Sequence, residues 1–220
     1  MPRAGLTLAL LFGIAVLDIQ AHDRSVVSVQ LTTAPTVTPA ARMALMREAT
    51  GIWARAGIKL KWVSPTAPPE GLSLRVLTIE RTGPAGADDA ALLGELVRGA
   101  GTGAVAMIAL DKATTIATGA SRTPGGSGPD ERLGLVLGRV IAHEIGHFLL
   151  TTAPHQNDGL MRARFPEKEL LDAWSAEFEV NPAMRAIAQA TLANGFPARV
   201  PRRLTADSNG RAPVAPAGPG

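Results

Sequence analysis

The chain has 220 residues, 46% hydrophobic and 19% charged, which suits one globular domain with a core of ordinary size. It contains neither cysteine nor tyrosine, which excludes a disulfide scaffold, a catalytic thiol, a cysteine-ligated metal and any phenolic ligand or acid. The net charge of +3 resides in residues 197–220, where four arginines face a single aspartate; the body of the chain is neutral and offers no electrostatic footprint for nucleic acid.

In chain order, residues 1–3 are short and basic, residues 4–17 are apolar and uncharged, and Ala21 offers a small residue for cleavage. This pattern predicts a secretory signal peptide over residues 1–21, because the apolar run falls short of the roughly 20 residues a membrane span needs. The expected location is therefore periplasmic or secreted, with no stable membrane span after processing. His22 then reads as a solvated terminus. Residues 25–31 alternate and predict a strand. Pro39 opens a predicted helix to about residue 56, with Leu45, Ala49, Ile52 and Trp53 at helical spacing and Gly57 as its stop. Residues 58–63 and 72–80 alternate again and predict two strands. A short helix is expected over residues 88–98, a buried strand over 104–110 and an edge strand over 114–119. A long helix is expected over residues 131–150, capped by Asp130, with Leu133, Leu137, Val140, Ile141, Ile145 and Phe148 as its apolar stripe. Pro166 opens a helical C-terminal part interrupted at Asn181-Pro182. The order predicts an α+β fold, layered as one mixed twisted sheet backed by helices, in a domain spanning residues 22–196. Residues 197–220 are rich in proline, glycine and arginine and predict a disordered, solubilising tail. Trp53, Trp62 and Trp174 are expected in the core.

Three of the four histidines, His143, His147 and His155, fall within thirteen residues. The run His143-Glu144-Ile145-Gly146-His147 is an H-E-x-x-H pattern inside the predicted long helix. Residues four apart share a helix face, so both imidazoles can reach one cation. Glu144 projects beside them and need not be a ligand, which leaves its carboxylate free to act on a water. A catalytic zinc site takes three protein ligands, so a third is needed. Asp158, Glu167, Glu169 and Glu177 are within reach, but His155, beyond a turn that can fold the chain back, is preferred. Glu167 is the rival, at a spacing close to that of thermolysin-like enzymes, although its place in a first helical turn already explains a carboxylate there. Gly146 is either a weak point in the helix or a place where another segment approaches. Arg162 and Arg164 are read as solvated rather than as oxyanion partners.

The stretch HEIGHFLLTTAPHQNDGLM resembles the active-site segment of the metzincin zinc metalloproteases, closest to a matrixin-like group of exported bacterial proteins. The likeness covers residues 130–165. It implies a zincin-like fold with Zn²⁺ as cofactor, His143, His147 and His155 as metal ligands, Glu144 as general base and Met161 in a methionine turn below the metal. It further implies a metalloendopeptidase acting on peptide or protein substrates as a monomer, with an extended substrate pairing to a strand edge near residues 114–119. Two positions depart from the usual metzincin pattern: Leu150 stands where a glycine is usual, and the third histidine comes two residues late, so the bend after the helix must differ. A catalytically inactive, zinc-binding exported protein and a zinc hydrolase of non-peptide amides are the alternative readings.

Overall fold

A computed structural model describes residues 25–68, 71–80, 93–98, 103–119, 128–150, 155–172 and 176–196. The expected signal peptide, His22, Trp174 and the expected C-terminal tail lie outside the described residues. The described elements are β1 (Val26–Thr32), α1 (Pro39–Arg55), β2 (Lys59–Val63), β3 (Ser73–Ile79), β4 (Gly94–Arg98), β5 (Gly103–Ala109), α2 (Leu110–Gly119), α3 (Pro129–Leu149), α4 (Glu167–Leu171) and α5 (Pro182–Asn194). A 3₁₀ turn at Ala176–Phe178 precedes α5.

The strands form one mixed sheet in the order β2-β1-β3-β5-β4. All neighbours run parallel except β4, which is antiparallel to β5, with Glu95 opposite Met107 and Val97 opposite Val105. The alternation read in the sequence decides which side chains enter the core. Val27, Val29 and Leu31 of β1, Leu74 and Val76 of β3, and Ala106 and Ile108 of β5 are all buried in a single apolar cluster. The helices α1 and α3 pack against each other and close that cluster with Leu45, Ile52, Trp53, Leu137, Ile141 and Ile145. Trp53 also donates from Nε1 to the Ala142 carbonyl, 3.1 Å away, which satisfies its polar end inside the core. Trp62 is half-buried rather than a core residue and donates to Thr50 Oγ1 at 2.9 Å. Among the described residues, no helix is long and apolar enough to cross a membrane.

Two expected elements are exchanged. Residues 94–98, read as the end of a helix, form the edge strand β4, and residues 114–119, read as an edge strand, belong to helix α2. In α2 the buried positions Leu110, Ala113 and Ala117 recur at helical spacing. The β-branched threonines that suggested a strand are accommodated by back-bonding: Thr115 Oγ1 donates to the Asp111 carbonyl and Thr118 Oγ1 to the Thr114 carbonyl. In β4 the short run has too few apolar residues for its period to show, and pairing with β5 decides its state.

The start of α3 also differs from expectation. Gly128 is its N-cap, Pro129 occupies the first turn, and Asp130 sits inside that turn with Glu131. Both acids there complement the helix dipole rather than cap the end. From Gly134 to Leu149 every residue but His147 is buried, so α3 runs through the interior rather than along a face. Gly134 and Gly138 let α1 approach its backbone. A Cβ on Gly138 would stand 2.8 Å from the Leu45 carbonyl oxygen and 2.7 Å from Glu48 Cβ. Gly138→Ala is therefore expected to destabilise the fold by about 1–3 kcal/mol despite the better helix propensity of alanine. A lowered midpoint of denaturant unfolding at unchanged m-value is the readout; a raised midpoint would show that the helices can part at no cost.

Candidate metal centre

The site begins with the last two turns of α3, which place His143, Glu144 and His147 on the lining of one cavity. Helix α3 ends at Leu149, with Leu150 as its C-cap at φ −92° and its N–H bonded to the Gly146 carbonyl at 2.8 Å. That conformation is open to any residue, so leucine serves where the metzincin pattern has glycine. The chain is described again at His155, whose Nε2 stands 3.0 Å from Nε2 of His147.

Nitrogens of His143, His147 and His155 all lie within 4.8 Å of one another. The ring centroids are 4.6 Å apart for His143–His147, 4.8 Å for His147–His155 and 5.5 Å for His143–His155. Two ligand atoms on a tetrahedral zinc, with Zn–N bonds of roughly 2.0–2.1 Å, stand about 3.3 Å apart, so this cluster could hold one metal ion. His143 Nδ1 donates to the Leu160 carbonyl at 2.7 Å, which leaves Nε2 as the nitrogen with the free lone pair. Burial, first of all, lowers the pKa of both His143 and His147 to about 4. For His147 the neighbouring imidazoles and Arg98 add to the effect. Both rings are therefore neutral at pH 7, the state in which imidazole binds a metal.

Glu167, the rival third ligand, lines the same cavity but is not part of this group of converging ligand atoms. Asp158, Glu169 and Glu177 are also outside it, and Glu169 and Glu177 pair instead with Arg162. Glu144 is 3% exposed, and its carboxyl pKa is raised to about 8, chiefly by burial and further by the nearby Glu95. Its carboxylate packs on the backbone of β4: a Cβ on Gly94 would lie 2.6 Å from Glu144 Oε1.

The loop below the histidines is held by backbone bonds from Gln156 N to the Met161 carbonyl (2.9 Å) and from Leu160 N to the Glu179 carbonyl (3.1 Å). Met161 is fully buried, and its sulfur occupies the space a Cβ of Gly146 would need. Gly146 is thus a point of close approach by another segment, one of the two readings its position allowed. Arg162 does not match its reading as a solvated residue. It is 15% exposed, pairs with Glu169 and Glu177, and stacks 4.9 Å from the Phe165 ring centroid. Arg164 is exposed and lines the cavity.

The cavity has a volume of about 740 Å³ and exposes His143, Glu144, His147 and His155. Residues 93–96 and Arg98 of the β4 segment form one part of its lining, α2 another, and residues 163–165 with Glu167 and Leu170 a third. Sequence reading did not find Arg98, which donates to the His147 and Phe148 carbonyls and so satisfies the C-terminal end of α3. Nothing in its local sequence marks it, because the partner lies 49 residues away. No family model and no curated protein matches this chain.

Proposed function

We propose that this chain is a zinc-dependent endopeptidase of metzincin type, with His143, His147 and His155 as metal ligands and Glu144 as general base. The observation that carries the reading is the convergence of three imidazoles beside a buried carboxyl group in one open cavity. Zinc bound there would polarise a scissile carbonyl and lower the pKa of a coordinated water towards ~7. Glu144 takes the proton of the attacking water and delivers it to the leaving amine. The positive charge of bound zinc would favour the ionised carboxylate, the form that accepts the proton.

The substrate strand pairs with β4 rather than with residues 114–119, which are helical. β4 is the last strand of the sheet, beside β5. An extended peptide added there gains main-chain hydrogen bonds and lies alongside Glu144, through Gly94, and His147, through Arg98. On the same reading the chain is exported, as the pattern of residues 1–21 suggests.

The test is metal analysis of the purified protein together with cleavage of an unbiased peptide pool. One zinc per chain and cleavage that stops with chelator and returns with zinc are expected. Stoichiometric zinc with no cleavage of any peptide would leave a binding protein in place of an enzyme.

A further inference from the structure

The cavity wall formed by residues 163–172 contains α4, a helix of five residues with no side-chain cap. A helix that short does not persist by itself. Its position is imposed from outside, by burial of Leu170 in the core and by Arg139. This side chain lies on α3, one turn before His143, and is 1% exposed. It donates from Nη1 to the Glu169 carbonyl at 2.5 Å, from Nη2 to the Asp172 carbonyl at 2.7 Å and from Nε to Glu48 Oε1 at 2.9 Å. Its guanidinium carbon sits 4.2 Å from the Phe178 ring centroid. Phe178 in turn stacks on Phe165, which meets the His143 ring edge-on at a centroid distance of 5.8 Å. One buried side chain therefore ties α1, the metal helix and the cavity wall together.

Stability alone does not call for an arginine here. An apolar side chain of similar volume would avoid the desolvation of a buried charge. Only a planar fork can hold two carbonyls and a carboxylate at once, so what the arginine adds is geometry. We propose that Arg139 is a positioning residue for substrate selection: it fixes residues 163–172 against α3 and so sets the room for the substrate side chain that lies next to His143. The proposal rests on the peptidase reading above and adds to it the element that controls specificity.

The experiment compares wild type with Arg139→Lys and Arg139→Met. Arg162→Gln serves as a second variant that loosens the same wall from its Glu169 side. Matched peptides carry leucine or alanine after the scissile bond. Zinc affinity is measured by chelator competition, and amide exchange is followed across the chain. The expected result is zinc affinity within twofold of wild type and exchange at residues 163–172 at least tenfold faster, with β1 and β3 unchanged. The leucine-to-alanine ratio of kcat/KM then falls about tenfold, through KM for the leucine peptide, while kcat stays within threefold. A preserved ratio with a loosened wall overturns the proposal, as does equal loss on both peptides. If Arg139→Met does not fold, the lysine and Arg162→Gln variants carry the comparison. A wild-type chain that cleaves nothing overturns the peptidase reading and the selectivity with it, whereas unchanged exchange in Arg139→Lys overturns the positioning role alone.

Discussion

Glu144→Gln is expected to lower peptide cleavage by about 10²–10⁴-fold while the protein still binds one zinc per chain. Glutamine keeps the volume of the side chain packed against Gly94 but can accept no proton. The same substitution is expected to stabilise the metal-free protein, and the pH dependence of that gain identifies its cause. Burial holds the Glu144 pKa at about 8, against an ordinary value of 4.5. The folded chain keeps the proton to higher pH than the unfolded chain does. The group's contribution is whole below pH 4.5 and is lost as the pH rises through 8. At pH 7.5 in chelator, the glutamine variant should therefore exceed wild type by about 2–4 kcal/mol in denaturant unfolding, and match it at pH 4. The buried histidines titrate in both proteins and cancel in the comparison. An equal gain at both pH values would show that the charge is not what burial opposes. A zinc-loaded variant that cleaves at the wild-type rate would end the role of Glu144 as base.

His155→Ala should weaken zinc binding by more than the roughly 10–100-fold typical of losing a partner outside the ligand set. His147 and His155 present their Nε2 atoms 3.0 Å apart, so removing one leaves two imidazoles and an open side towards solvent. Glu167→Ala is the control and should leave the affinity within about twofold, because that carboxylate is not among the converging ligand atoms. The reverse outcome, with affinity lost on removal of Glu167 and kept on removal of His155, would assign a thermolysin-like ligand set. Competition against a chromogenic chelator reads both variants on one scale.

Much of this was legible in the residues themselves. The i, i+4 spacing of His143 and His147 depends only on helix geometry, which is local, and the apolar positions from Leu133 to Phe148 announced that helix. The alternation in β1, β2 and β3 was legible for the same reason, since a strand with unlike faces writes its period into the chain, although the polar face of β1, with Ser28 and Gln30, is buried as well. The exchange of strand and helix between residues 94–98 and 114–119 shows where local signals end. The GELVR run of β4 carries little period by itself and is a strand because β5 offers it partners, while α2 satisfies its threonine hydroxyls within its own helix.

The sequence by itself determined the paired histidines, the adjacent acid and the layered α+β character, because helical and strand periodicities need no distant partner. Only the tertiary structure decided that His155 meets His147, that β4 packs on α3 at Gly94 and is bonded to it through Arg98, and that Arg139 bonds to the segment of α4. Each of these joins residues from separate elements, and a contact across space leaves no mark in the local order of residues when the chain between its ends is free to vary.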